Sequence, residues 1–441
     1  MYKNLAVSKT MNYNYADYNQ LEGNVLGKYI MAEENQRTIS GEDKIFGINK
    51  MAQEMIQKAG KEKVANATVG SLLDDEGNLI VLPSVSEVLK TLAPQDFAEY
   101  APIAGLPAYL DAVKKAVYMD YEPAGYLEAV ATPGGTGAIH NAIQNYTKRG
   151  DIVLTSDWYW SPYGTIAQEL ERKLDTYALF DEKGSYNADA LQIKLEKLLA
   201  DQARALIILN TPSHNPTGYS LTPEDWDKLI ALLSRRAEDK TKKIVLLVDI
   251  AYLDFAGDAH AERAFLPKLE NLPENLLPLI AFSMSKSYTM YGMRSGALLC
   301  LSANKDIADE FKLVNSFSNR GTWSNGTRSA MTILSRIFSD RQLLQRVIEE
   351  RESALFELCS RGKIFTEAIE NAGLSMCPYH CGFFAIVLCD NPEAVAKAAM
   401  KEGVFTVPMG RGLRVSVASL SKEKCRLVPQ ILAMAVNKVG R

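Results

Sequence analysis

The chain of 441 residues has no strong excess of either charge, few cysteines and no apolar run long enough to cross a bilayer. Each shortage removes a class of function. A net charge of −4 creates no field that would gather nucleic acid or an anionic membrane. The basic cluster Lys240-Thr241-Lys242-Lys243 has no interleaved aromatics and reads as a solvated turn before a buried strand. Six cysteines, five of them beyond position 350, do not form a disulfide framework and fit a reducing compartment. Cys377, His380 and Cys381 are close in sequence, but no second ligand pair sits at matching spacing, so no metal is expected. Met1-Tyr2-Lys3-Asn4-Leu5 lacks the apolar core of a signal peptide, and a cytoplasmic location is expected.

What is present is the composition of an ordinary enzyme, 47% hydrophobic and 23% charged, in a chain longer than one core usually supports. Two domains are therefore expected. Short apolar runs at 151–155, 205–210, 244–249, 279–283 and 297–301 alternate with amphipathic stretches, the pattern of a mostly parallel sheet flanked by helices. Thr222 as N-cap, Pro223 at the first helical position and Asp225 in an acidic first turn predict a helix over 223–236. From about 340 the periodicity turns helical through 343–372. Strand-like segments follow at 382–388 and 413–417 around a helix at 392–402, suggesting a smaller α+β unit. Residues 1–45 are polar and tyrosine-rich, and read as an arm or lid.

Chemistry concentrates at the ends of the apolar runs, where open α/β sheets bind ligands. Ser283-Met284-Ser285-Lys286 follows one run, and Arg294 comes eight residues after the lysine. A lysine leaving a buried strand is partly desolvated, which disfavours its ammonium form and suits it to nucleophile and base work with an aldehyde. Pro133-Gly134-Gly135-Thr136-Gly137 precedes a helical stretch and offers backbone N–H groups and a hydroxyl to a phosphate, although it matches neither the Walker nor the dinucleotide pattern. Asn210 to Gly218 ends in Asn215-Pro216-Thr217-Gly218, a rigid turn carrying an amide. Asp249, in Val248-Asp249-Ile250-Ala251-Tyr252, ends another run, and a buried carboxylate there calls for a cationic partner such as a pyridinium nitrogen.

Asn-Pro-Thr-Gly, Asp-x-Ala-Tyr and Ser-x-Ser-Lys with its arginine occur in the order and spacing of the fold-type I pyridoxal phosphate enzymes. The chain most resembles the class I/II aminotransferases related to aspartate aminotransferase, from about residue 66 to 418. The resemblance implies an α/β fold with a large cofactor-binding domain, residues 81–345, built on a mostly parallel seven-stranded sheet flanked by helices. Residues 1–80 and 346–441, from both chain ends, would form a smaller α+β domain. It implies pyridoxal 5'-phosphate as cofactor, with Lys286 forming the internal aldimine and moving the proton, and Asp249 keeping the ring nitrogen protonated. Asn215 and Tyr252 would face the ring oxygen. Gly134, Gly135, Thr136, Ser283, Ser285 and Arg294 would hold the phosphate, and Trp160 would stack on the ring, with Trp158 as competitor. Tyr100 would reach the neighbouring subunit's phosphate, implying a homodimer. Gly70, Asn215 and Arg414 would receive the amino-acid substrate, the arginine gripping its α-carboxylate.

Two positions depart from the family pattern. Gly134 stands where many relatives have serine, and Val314 lies near the place of the arginine with which dicarboxylate-specific relatives bind the distal carboxylate. Dedicated aspartate specificity is therefore not expected, unless Arg320 substitutes. The expected reaction is ping-pong transamination between an amino acid and a 2-oxo acid. A lyase or decarboxylase of the same fold is the alternative, and a non-catalytic amino-acid sensor a further one.

Overall fold

The computed structural model describes residues 31–33, 35, 37 and 43–439. The expected N-terminal arm or lid lies almost wholly outside the described residues. The described residues divide into two compact units, one of 81–213 and 220–355, the other of 214–219, 356–439 and the described residues before 81.

The first unit is built on a seven-stranded sheet. In order across it the strands are Tyr126–Thr132, Gly296–Ser302, Leu276–Ser283, Lys243–Asp249, Arg204–Asn210, Ile152–Ser156 and Lys173–Tyr177. Only Gly296–Ser302 runs against its neighbours; the other pairings from Leu276–Ser283 outward are parallel. The five central strands are those foreseen in the sequence, because strands buried on both faces read as continuous apolar runs. The two edge strands, Tyr-Leu-Glu-Ala-Val-Ala-Thr and Lys-Leu-Asp-Thr-Tyr, were not foreseen. Each is partly solvated and interrupts its apolar residues with charge. Val130, Ala138, Ile139, Leu206, Ile208, Val245, Leu247, Leu279 and Leu298 share a core between the sheet and the helix Gly134–Tyr146. The helix Pro223–Arg236 begins as its sequence dictates, with Thr222 Oγ1 accepting from Asp225 N at 3.2 Å and Asp225 Oδ2 accepting from Thr222 N at 3.1 Å.

The second unit has an antiparallel sheet in the order Val407–Met409, Gly412–Ser416, Phe384–Leu388. A short parallel pair joins Ala65–Asn66 to Val404–Phe405, so residues from both halves of the chain share this unit. Ala385, Val387, Leu413 and Val415 of the sheet pack with Val395 and Ala399 of the helix Pro392–Lys401 and with Val428 and Leu432 of the helix Lys422–Val439. Cys359 and Cys381 form a disulfide here, Cα atoms 5.6 Å apart, a single crosslink that the cysteine count did not point to. Sequence spacing could not give this pair, since helix and loop meet only in the fold. Among the described residues no helix is long and apolar enough to cross a membrane.

Candidate active site

In the larger unit, the C-terminal ends of three adjacent parallel strands carry Asn210, Asp249 and Ser283. Register aligns them: Asn210 pairs with Asp249, and Asp249 with Ala281, two residues before Ser283. Asn210 Nδ2 donates to the Asp249 carbonyl at 2.9 Å. The Asp249 side chain is buried. It accepts from the Tyr163 hydroxyl at 2.6 Å and from Ala251 N at 3.1 Å, and no ion pair reaches it among the described residues. Burial pushes this carboxyl up from its ordinary range, while the two hydrogen bonds pull the other way. The same burial, with the carboxylate beside it, drives the Tyr163 phenol well above its ordinary value, so Tyr163 stays a donor. A buried carboxylate served by neutral donors alone lacks a cation, and a protonated pyridine nitrogen is a group that would supply one.

Ser283 closes its strand and caps the short helix Met284–Ser287, its hydroxyl accepting from Ser285 N at 3.2 Å. Lys286 lies in that turn. Its Nζ is 4.5 Å from the ring centre of Tyr291 and 5.6 Å from that of Tyr252, so the amine has two aromatic neighbours. Arg294, in left-handed backbone with φ 49°, turns its guanidinium back over the same segment. Nη1 donates to Ser285 Oγ at 3.2 Å and to the Tyr291 carbonyl at 3.0 Å, and Nη2 to Thr136 Oγ1 at 3.4 Å.

Thr136 and Gly135 are in the first turn of the helix Gly134–Tyr146, where amide donors and the helix dipole favour an anion. Gly134 has φ 70°, and a Cβ there would stand 2.8 Å from Arg294 Nη2. The missing serine is thus accounted for: a side chain at 134 would displace the arginine. Arg294 thus bonds to Ser285 and Thr136, and Gly134 and Gly135 abut Arg294 and Ser283, so the six residues are neighbours. Trp160, half-buried, meets Tyr163 edge-on with centroids 5.5 Å apart, whereas Trp158 is buried in the core. Tyr100 is 86% exposed, its carbonyl bound by Arg328 Nη1 at 3.0 Å.

In the other unit, Arg414 stands on the central strand of the three and is 4% exposed. Nη2 donates to the Thr68 carbonyl at 2.7 Å, and the guanidinium carbon lies 4.5 Å over the Phe384 ring. Gly70 abuts the same ring; a Cβ there would come within 2.4 Å of Phe384 Cζ. Asn215 is buried in the turn 214–219, where His214 Nδ1 and Thr217 Oγ1 are 2.9 Å apart and Gly218 O accepts from His380 N at 3.0 Å.

Tyr163, Tyr291 and Phe384 were missed in the sequence. Each is an aromatic among many, and only its partner in space marks it. Cys381, once weighed as a metal ligand, is in the disulfide instead. Val314 is half-buried in the helix Lys305–Thr322, whose buried Asn315 and Asn319 bond to Asn145 and Asn141. Arg320 is exposed in the last turn of that helix and donates to Ser324 Oγ at 2.6 Å.

Residues 62–431 match the family described as aminotransferase class I and II. A solved aminotransferase from Anaerococcus prevotii is 40% identical, with a TM-score of 0.90 over 93% of this chain and all of that one. The mitochondrial aspartate aminotransferase of Schizosaccharomyces pombe is 28% identical over 90% of this chain and 88% of its own. The aromatic-amino-acid aminotransferase of Paracoccus denitrificans is 28% identical over 84% and 92%. An aromatic-amino-acid aminotransferase from Burkholderia pseudomallei, solved covalently bound to pyridoxal phosphate, shares the fold at 21% identity and a TM-score of 0.74, over 90% of this chain and 98% of that one.

Proposed function

The chain belongs to the aminotransferase class I and II family, and from that membership we propose that it moves an amino group from an L-amino acid to a 2-oxo acid on pyridoxal phosphate held around Lys286. The observation that carries the assignment of the residues is Asp249, a buried carboxylate with neutral donors only, one strand from the Lys286 turn. When bound, pyridoxal phosphate supplies an aldehyde that condenses with amines and a protonated ring that draws electrons from the substrate Cα.

Asp249 keeps the ring nitrogen protonated, and Tyr163 and Ala251 N orient its carboxylate. Arg294, Thr136, Ser283, Ser285 and the amides of Gly134 and Gly135 hold the phosphate, and Trp160 stacks on the ring. Tyr252 and Asn215 donate to the ring oxygen. Lys286 Nζ takes the proton from the substrate Cα and delivers it on the far side of the exchange. Arg414 forks onto the α-carboxylate beside Gly70, its guanidinium already oriented by the Thr68 carbonyl and the Phe384 ring. With Val314 at the aligned position and Arg320 turned to Ser324, the natural donor is not restricted to dicarboxylates. The enzyme works as a homodimer in which Tyr100 serves the neighbouring site, and a cytoplasmic location belongs to the same proposal; cell fractionation tests the location. The names of the relatives do not favour the lyase and decarboxylase alternative.

Borohydride reduction of the cofactor-loaded protein followed by peptide mapping should place the label on Lys286. A panel of amino acids with 2-oxo acid acceptors should give acceptor-dependent amine transfer. Label on another residue, or release of pyruvate or ammonia in place of transfer, overturns the reading.

A further inference from the structure

A second group of buried charges adjoins the lysine-bearing turn. Asp254 lies in the short turn Leu253–Phe255 that directly follows Tyr252, and it is buried. Its Oδ1 accepts from Arg263 Nη2 at 2.6 Å, and its Oδ2 lies 3.2 Å from Arg351 Nη1. Arg263 follows nine residues later, while Arg351 comes from a distant segment. Arg263 also donates through Nε to the Val117 carbonyl at 2.9 Å and through Nη2 to the Ala116 carbonyl at 3.1 Å, while Arg351 belongs to the long helix Arg341–Asn371. Burial alone would push the Asp254 carboxyl up; the guanidiniums of Arg351 and Arg263 outweigh it and hold the group at about 2. The carboxylate is therefore charged throughout the working pH range.

On its other side, the Asp254 carboxylate faces the side chain of Ser287, the residue after Lys286, whose hydroxyl helps to hold the carboxyl down. Tyr288, the next residue, lies beside Arg351, whose guanidinium carbon is 5.9 Å from the centre of its ring. Ser287 and Tyr288 are both buried. One carboxylate thus ties the turn after Tyr252 to the turn that carries Lys286. An exposed ion pair would fix little, but a buried carboxylate held between two guanidiniums has few alternative arrangements.

We propose that Asp254 is a positioning residue for the reaction: through Ser287 it fixes the turn presenting the Lys286 amine against the turn presenting the Tyr252 phenol. The proposal rests on Lys286 being the reactive amine. Proton transfer at Nζ needs alignment, so loosening this tie slows the steps at the amine and leaves recognition of the substrate carboxylate intact.

Three forms of the full chain test it: wild type, Ser287→Ala and Asp254→Asn. Ser287→Ala removes one hydroxyl and leaves the ion pairs in place. It should lower kcat about five- to tenfold with KM within about twofold, as expected for one buried polar contact that aligns a reacting group. In cofactor-free protein, acetic anhydride labelling of Lys286 should change in rate by more than about twofold at fixed pH, because a loosened turn alters the access and solvation of the amine. The thermal midpoint should hardly move. Asp254→Asn leaves two buried guanidiniums without their anion, so the pH midpoint of Lys286 labelling should fall. If that variant does not fold, Ser287→Ala decides alone. Wild-type kcat and wild-type labelling in Ser287→Ala would show that the cluster only stabilises the fold, and the proposal would be lost. Borohydride label absent from Lys286 in the wild type would instead show that the reading of the site had failed, and this inference with it.

Discussion

In the proposed site the cofactor ring would stabilise Asp249 in its charged form and its absence would penalise it, a difference that is measurable. Burial raises its carboxyl above the ordinary 3.8, against the pull of Tyr163 and Ala251 N. In the cofactor-free protein the folded state therefore keeps the proton to higher pH than the unfolded chain does. Stability falls as pH rises from about 3.8 through the folded value, and at neutral pH the ionised group is a net cost. Asp249→Asn should raise the thermal midpoint of cofactor-free protein at pH 7 by about 1–4 °C, the gain shrinking as pH is lowered toward 4. The same change should lower turnover of the reconstituted enzyme by about 100-fold or more, because an amide does not hold the ring proton. A lower midpoint at pH 7 would contradict the account of Asp249 as an uncompensated charge. This carboxylate was legible in the sequence because it ends an apolar run, where charge has no bland explanation. Tyr163, its donor, was not, since 86 residues separate the partners and nothing local marks one tyrosine among twenty.

At the scale of elements, the glycine-rich turn shows how a helix start is shaped by a residue far along the chain. Gly134 opens the helix Gly134–Tyr146 with φ 70°, and its missing side chain is the space that Arg294 fills. Gly134→Ala should weaken cofactor affinity about tenfold, combining an unfavourable backbone conformation with displacement of the guanidinium. Titration of cofactor-free protein, followed by absorbance, measures it; unchanged affinity would mean that Arg294 has room to move. A second element test is more local. Thr222→Ala removes half of a reciprocal cap and should cost about 1 kcal/mol in urea unfolding of the larger unit. Caps and central strands were legible because their signals are contiguous residues. Edge strands and the Cys359–Cys381 pair were not, because solvation on one side breaks the apolar run and a crosslink depends on which loop meets which helix.

At the scale of the whole molecule, the proposed dimer makes a claim that a single chain cannot satisfy. Tyr100 is 86% exposed, a large aromatic whose neighbours Glu99 and Arg328 pair at 3.0 Å. An exposed tyrosine on an ordered loop is common enough, and only a functional test separates a surface residue from one that completes another subunit's site. Lys286→Ala and Tyr100→Ala should each be strongly impaired alone. In a mixed dimer of the two, one site would combine the lysine of one subunit with the tyrosine of the other, and the second site would lack both. Unfolding and refolding the variants together in equal amounts makes half of the dimers mixed, each with one intact site of two, so turnover should return to about a quarter of wild type. If Tyr100 served its own subunit, every site in the mixture would lack one residue or the other. Activity would then stay at the mean of the two parents, and Tyr100 would have no role across the interface.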